Sequence, residues 1–311
     1  MLKKTMLLLT LVTFTLSVAA RALASGSGDD EAHANIALNE SELGTDKDFA
    51  GLVAMGGERQ VYMACRGKGR PTVVLISGAG TAHQTWTHLV NVDGEPTSSD
   101  SAVFPRVAEF TRVCAYDRPG TFNFDATLSS STPVRQPTTA QDGAVDLNAL
   151  LAAAGQRPPY VMVGWSWGGL IARQYTSDHP DEVSGLVLVD PASEFLQDTL
   201  TPTQWGTLVQ VGTQPREPES VEGVDYGSSA PMLRAASEVR RVPSIVLTSD
   251  VCFEFLPGEE TCQAWQEAQD LLVARLGAEH LTRTDSDHAV QLDNPELVID
   301  SVLKVVADAR K

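Results

Sequence analysis

The sequence predicts an α/β fold in which helices cover both faces of a mostly parallel sheet. Short apolar segments alternate with helical segments along residues 49–311, which is the pattern of strand–helix–strand units. Several strand segments are apolar throughout, as expected for strands buried on both faces. A composition of 42% apolar and 20% charged residues is ordinary for a globular domain.

The predicted elements follow one another in a regular order. Residues 51–55 and 60–66 flank the turn pair Gly56-Gly57 and predict a β-hairpin. The other apolar, often β-branched runs that predict strands are residues 72–77, 112–116, 160–164, 186–189, 245–248 and 280–284. The predicted helices are residues 138–154, 167–177, 262–276 and 295–309, of which the first ends before a glycine and the last begins with a proline.

Two stretches fit no element of this sheet. Residues 91–104 are polar and contain Gly, Pro and Ser, and residues 192–242 form a long excursion between two predicted strands. Because an insertion of this length inside a compact domain is usually functional or disordered, we expect residues 192–242 to form a small lid.

The first 24 residues predict a signal peptide. Lys3 and Lys4 precede an apolar run from Met6 to Ala20, and Ala22-Leu23-Ala24 supplies an A-x-A cleavage site. The run is shorter than the roughly 20 residues that a membrane span needs. We therefore expect an exported protein, secreted or periplasmic, with no stable membrane insertion after cleavage. Residues 25–48, rich in Gly, Ser, Asp and Glu, predict a flexible acidic leader.

The charge balance disfavours two classes of partner. Forty acidic residues against 23 Lys and Arg give a net charge of −17. Such a field repels nucleic acid and anionic membrane surfaces. The expected partner is a small molecule, and no sequence feature indicates an oligomeric state.

Residues 164–169 (GWSWGG) lie between a predicted strand and a predicted helix. This is the context of a nucleophile elbow, in which a sharp turn lifts a serine above the sheet. Ser166 is then the nucleophile, and Gly164 and Gly168 fill positions where side chains would meet neighbouring backbone. The alternative is a strand-to-helix turn with a capping serine.

Several motifs in order resemble the α/β-hydrolase superfamily, especially secreted bacterial hydrolases of the esterase and lysophospholipase type. The resemblance runs from about Gln60 to the C-terminus. It is carried by the elbow and by residues 65–67 (CRG), 72–78 (TVVLISG), 113–120 (VCAYDRPG), 185–191 (GLVLVDP), 287–288 (DH) and 291–297 (QLDNPEL). It implies the α/β-hydrolase fold and a serine mechanism without a metal or organic cofactor.

The resemblance also implies the partners of Ser166. His288, in a polar loop before the last helix, corresponds to the general base, although Ser286 stands where relatives carry glycine. The acid follows the strand that ends before Asp190 or the strand that ends before Asp250. We favour Asp190 and keep Asp250 as the alternative.

Backbone donors of the oxyanion hole are expected in two places. Ala79, in the segment Ser77-Gly78-Ala79-Gly80, corresponds to a donor in the loop after the first parallel strand, and Trp167 follows the nucleophile. The motif that contains Asp117 and Arg118 is expected to anchor loops near the site rather than to react.

Four cysteines in an exported protein suggest disulfides. Cys252 and Cys262 are the close pair, which leaves Cys65 for Cys114, and the resemblance implies that the strands of this second pair are neighbours. The alternative is four buried thiols.

The predicted activity is hydrolysis of a carboxylic ester. An amidase, lactonase or peptidase would use the same residues, and a cofactor-free lyase or perhydrolase would reuse them for other chemistry. A ligand-binding module of the same fold, with little turnover, is a further alternative.

Overall fold

A computed structural model describes residues 36–236, 241–251, 254–256 and 260–311. The predicted signal peptide over residues 1–24 and the leader up to residue 35 lie outside the described residues, as does Cys252. Among the described helices, none is both long and apolar enough to cross a membrane.

Strands and helices alternate as predicted. The strands of the described residues are β1 Phe49–Ala54, β2 Gln60–Arg66, β3 Thr72–Ile76, β4 His88–Val90, β5 Pro96–Ser98, β6 Val113–Tyr116, β7 Tyr160–Trp165, β8 Val183–Val189, β9 Ser244–Leu247 and β10 Glu279–Leu281. The helices are α1 Gln84–Thr87, α2 Val103–Ala108, α3 Ala140–Ala153, α4 Trp167–Asp178, α5 Leu196–Thr199, α6 Pro202–Thr213, α7 Tyr226–Ala235, α8 Cys262–Leu276, α9 Val290–Asp293 and α10 Pro295–Ala309.

Eight strands form one sheet in the order β1-β2-β6-β3-β7-β8-β9-β10. From β6 to β10 every neighbouring pair is parallel, whereas β2 runs antiparallel to both β1 and β6. The carboxyl ends of the parallel strands therefore meet at one edge, where open α/β sheets place their ligand sites.

Helices cover both faces of the sheet because its strands are apolar on both sides. Along β3, Val74 and Ile76 pack in one buried cluster that includes side chains of α3 and α4. Val73 and Leu75 point to the other face, into a cluster that includes side chains of α2 and α10. The predicted mostly parallel sheet with two covered faces is confirmed.

The polar stretch at residues 91–104 adds no strand to the main sheet, as expected, but it has regular structure of its own. β4 and β5 pair antiparallel as a small separate sheet around the turn at Gly94, and α2 begins at Val103. Each of these strands is only three residues long and contains no apolar run that the sequence pattern could reveal.

The second part of the predicted acidic leader makes backbone contacts with the domain. Residues 36–48 lie along the domain, and the Ile36 and Leu52 backbones are hydrogen-bonded. The buried Arg112 guanidinium donates to the carbonyl oxygens of Gly44 and Lys47 at 2.9 and 2.6 Å. A buried guanidinium needs such acceptors, which explains the order of this segment.

Cys65 and Cys114 form a disulfide between the neighbouring strands β2 and β6, in agreement with the predicted pairing. Both residues are buried. The predicted pairing of Cys252 with Cys262 involves a residue outside the described part of the chain and stays a prediction.

We expect the C65A/C114A double variant to lose about 4 kcal/mol of unfolding free energy, because the bridge closes a loop of about 50 residues in the unfolded chain. Urea unfolding followed by circular dichroism measures the difference. A C65V/C114V variant, which fills more of the buried volume, separates the crosslink from the packing. A loss below about 1 kcal/mol in both variants would contradict the prediction.

Candidate active site

Ser166 occupies the sharp turn between β7 and α4. Its φ of 52° and ψ of −121° form a conformation that residues with a side chain rarely adopt, at a cost of roughly 1–3 kcal/mol. Neighbouring backbone holds this turn: the Ser166 N–H donates to the Val189 carbonyl at 3.2 Å, and the Ala192 N–H donates to the Ser166 carbonyl at 2.9 Å. The seryl side chain lies at the carboxyl edge of the sheet as a result.

The two glycines of the elbow are required by close backbone contacts. A Cβ atom at Gly164 would collide with the Gly168 carbonyl oxygen, and one at Gly168 would collide with the carbonyl oxygens of Ile76 and Ser77. Backbone cannot move aside as a flexible side chain can, so the spacing G-x-S-x-G follows from steric crowding around Ser166.

Asp190 directly follows β8 and is fully buried. Its Oδ2 atom lies 2.6 Å from His288 Nδ1 and accepts from Ser249 Oγ at 3.0 Å. Its Oδ1 atom accepts from the Ser249 N–H and from the Trp265 indole N–H, both at 3.1 Å. These polar contacts compensate the buried carboxylate for the water it has lost.

His288 lies between two tryptophan side chains. Its ring centroid is 5.4 Å from that of Trp165 and 5.4 Å from that of Trp265. The Trp165 indole N–H also donates to the His288 carbonyl oxygen at 2.7 Å. With Nδ1 directed at the Asp190 carboxylate, the proton belongs on Nδ1 and Nε2 carries the lone pair, which is the tautomer that a general base needs.

Asp250, the alternative acid, makes different contacts. It is exposed, and its Oδ1 accepts from the Ser286 N–H at 3.1 Å and from Thr284 Oγ1 at 3.2 Å. The little burial it has would raise its pKa, but backbone and side-chain hydrogen bonds, led by that from Ser286, hold the pKa of Asp250 below its ordinary value. Asp250 thus braces the loop that leads to His288. It is Asp190 that contacts the imidazole.

The predicted oxyanion donors lie on both sides of Ser166. The Trp167 N–H belongs to the first turn of α4, whose amides have no acceptor within the helix. On the other side, a Cβ atom at Gly78 would lie 3.2 Å from Ser166 Cβ, so the loop that contains Ala79 passes against Ser166. Within the described residues the Ala79 N–H makes no hydrogen bond.

Comparison with known families agrees with this geometry. A family model described as the alpha/beta hydrolase fold matches residues 71–217, which include the elbow and Asp190. The chain has the α/β-hydrolase fold.

Two curated proteins show how far the sequence similarity of this chain extends. The uncharacterized protein YqjL of Bacillus subtilis is 23% identical over 241 residues, which are 75% of this chain and 82% of YqjL. A pimeloyl-[acyl-carrier protein] methyl ester esterase of Chromobacterium violaceum is 39% identical over 104 residues, but these cover only 32% of this chain and 36% of the esterase.

Solved structures share the fold of this chain at low identity. The carboxylesterase CesB of Bacillus subtilis has a TM-score of 0.55 and 17% identity, with 83% of this chain and 91% of CesB covered. The epoxide hydrolase CorEH has a TM-score of 0.53 and 17% identity, with 84% and 99% covered. At this level of identity the likeness shows the fold alone.

Sequence reasoning missed several residues that organise the site of this hydrolase. Ser249 and Trp265 both donate to Asp190, and Glu222, in the insertion, binds the loop that contains Ala79. None of them belongs to a recognisable motif. Ser249 alone carried a signal, because it follows a predicted strand at the carboxyl edge of the sheet. In the described part of the hydrolase, no group of three or more His, Cys, Asp or Glu side chains could hold a metal ion.

Proposed function

We propose that the protein is an exported serine hydrolase that cleaves a carboxylic ester of a small molecule. The observation that carries the proposal is the 2.6 Å contact between His288 Nδ1 and Asp190 Oδ2 beside the strained elbow of Ser166. The hydrolase family and the similarity to a methyl ester esterase support hydrolysis of an ester.

The proposed reaction proceeds through an acyl-enzyme. His288 Nε2 takes the proton of Ser166 Oγ as the oxygen attacks the ester carbonyl, and the backbone N–H groups of Ala79 and Trp167 bind the oxyanion. When the carbon–alkoxy bond breaks, the imidazolium returns this proton to the leaving alcohol. Water then attacks the acyl-enzyme, its proton passes to His288 and on to Ser166 Oγ, and the carboxylic acid departs.

Asp190 supports both steps without accepting a proton. Its carboxylate holds the imidazole in one tautomer and stabilises the imidazolium that forms in each transition state. The two tryptophan rings beside His288 limit the orientations of the imidazole. The base is therefore held in position before the substrate binds.

The proposed lid is the insertion between β8 and β9. It carries α5, α6 and α7, and the Tyr226 ring packs edge-on against the fully buried Trp167 ring at 5.0 Å. This contact joins the insertion to the first turn of the helix that follows Ser166. A cover at this place would exclude water from the acyl-enzyme.

A single labelling experiment tests the proposal. Full-length protein is expressed, collected from the exported fraction and treated with a fluorophosphonate, and its intact mass and labelled peptides are measured. We expect one adduct, on the peptide that contains Ser166, an N-terminus at Ser25, and hydrolysis of a short p-nitrophenyl ester. Folded protein that is neither labelled nor active would contradict the proposal and favour a ligand-binding module. Protein that retains residues 1–24 would contradict the proposed export but not the proposed hydrolase activity.

A further inference from the structure

A buried ion pair joins the core of the protein to the insertion. Arg118 lies in the loop after β6, and Glu222 lies between α6 and α7. Arg118 Nε donates to Glu222 Oε1 at 2.6 Å and Nη2 donates to Oε2 at 3.1 Å, a two-pronged arrangement. The side chains are 6% and 1% exposed. Burial would lower the pKa of Arg118, but the charge of Glu222, its hydrogen bond and the smaller effects of Tyr116 and Asp117 together raise that pKa above its ordinary value.

The same two side chains hold the loop that contains the predicted oxyanion donor. Arg118 Nη1 donates to the Ser77 carbonyl oxygen at 2.8 Å, and Nη2 donates to the Gly78 carbonyl oxygen at 2.6 Å. Glu222 Oε2 accepts from the Gly80 N–H at 2.6 Å. The ion pair therefore binds backbone groups on both sides of Ala79 and leaves the Ala79 N–H unused.

The planarity of the peptide unit means that these contacts also fix the direction of the Ala79 N–H group. The Gly78 carbonyl and the Ala79 N–H belong to one planar trans peptide unit, in which the two groups point opposite ways. With the carbonyl oxygen held by Arg118, the Ala79 N–H must point away from the guanidinium. The loop cannot rotate this peptide without breaking the hydrogen bond from Arg118.

We propose that Arg118 and Glu222 are positioning residues that orient the Ala79 N–H toward the oxyanion formed at Ser166. The inference rests on the proposed serine mechanism and extends it, because Glu222 makes the insertion part of the catalytic apparatus. Neither side chain touches the substrate in this proposal. Their effect on the reaction passes through the backbone of residues 77–80.

Substitution of Arg118 should therefore weaken transition-state binding more than substrate binding. Lysine keeps the charge at this position but lacks the planar fork that reaches two carbonyls and a carboxylate together. Loss of a complete oxyanion donor costs about 10²–10³ in rate. When the donor is present but poorly oriented, the rate should fall by only part of this factor. We therefore expect R118K to lower kcat about 10- to 100-fold.

The test compares two kinds of variant with a matched control. R118K removes the fork, and R118M/E222M removes the buried pair without leaving one charge unpaired, a replacement that proteins often tolerate. R173K is the control, because Arg173 and Glu194 form another buried pair, with side chains 6% and 3% exposed. For each protein, kcat, KM, the melting temperature and the Ki of a trifluoromethyl ketone are measured.

The positioning role predicts that kcat falls in both Arg118 variants, that KM changes less than about threefold, and that the Ki of the ketone rises by the same factor as kcat/KM falls. The control should lose stability but keep kcat within about threefold. The inference would be overturned if both folded Arg118 variants kept a normal kcat, or if kcat fell while the Ki of the ketone did not rise. Either result would leave the serine mechanism intact. Wild-type protein without activity or labelling would instead contradict the proposed function itself.

Discussion

The S166A variant is expected to lose about 10⁶-fold in kcat for a p-nitrophenyl ester, because no other group can form the acyl-enzyme. Alanine keeps the Cβ atom and so tolerates the φ of 52° about as well as serine does. The fold should therefore persist, and the residual rate would come from substrate binding and the oxyanion donors alone. Steady-state kinetics with each purified protein measure the difference.

A nearby serine supplies the control for this prediction. Ser193 is 3% exposed, and its hydroxyl has no hydrogen-bond partner among the described residues. We expect S193A to keep kcat within about threefold of wild type, since surroundings without a base cannot activate its hydroxyl. Activity of S166A near the wild-type level, with circular dichroism unchanged, would assign the nucleophile to another residue.

The D190N variant is expected to lower kcat about 10⁴-fold, the loss associated with the wrong imidazole tautomer. An amide at this position would present an N–H group to His288 Nδ1 or leave the imidazolium without a counter-charge. It would also weaken the hydrogen bonds from Ser249 and Trp265, which a carboxylate accepts more strongly. The fold-change in kcat/KM near neutral pH is the measurement.

The D250N variant distinguishes the two candidate acids. Asp250 lies exposed after β9, and its carboxylate accepts hydrogen bonds from Thr284 and Ser286 of the loop before His288, so we expect its loss to change kcat less than about tenfold. If D250N lost more activity than D190N, the acid would follow β9 instead of β8. Melting temperatures of both variants separate a loss of activity from a loss of folded protein.

Local sequence predicted most of the sheet, because its strands are apolar in short runs bounded by Gly, Pro and polar residues. The helix over Cys262–Leu276 begins and ends as predicted, and it ends before Gly277, which adopts a φ of 61°. β8 begins three residues before its predicted start, at Val183. Ser184 interrupts the apolar run, so the sequence pattern does not show that the strand begins earlier. Pairing with β7 extends β8 to Val183.

The elbow was predictable for the same local reason. Its requirement for glycine comes from atoms within a few residues of Ser166 and from the one strand beside it. The acid was not predictable in this way. Asp190 and Asp250 both follow parallel strands, and only the folding of the loop around His288 brings one carboxylate to 2.6 Å from Nδ1.

Contiguous patterns of apolar and turn residues are therefore enough to predict the α/β class and the elbow around Ser166, and the resemblance to the superfamily adds the loop that carries His288. Three contacts are visible only in the folded chain. The Asp190 carboxylate meets the imidazole, residues 36–48 bind Arg112, and Glu222 of the insertion binds Arg118. These pairings join residues far apart in the chain. Burial and hydrogen bonding select them, and neither follows a sequence period.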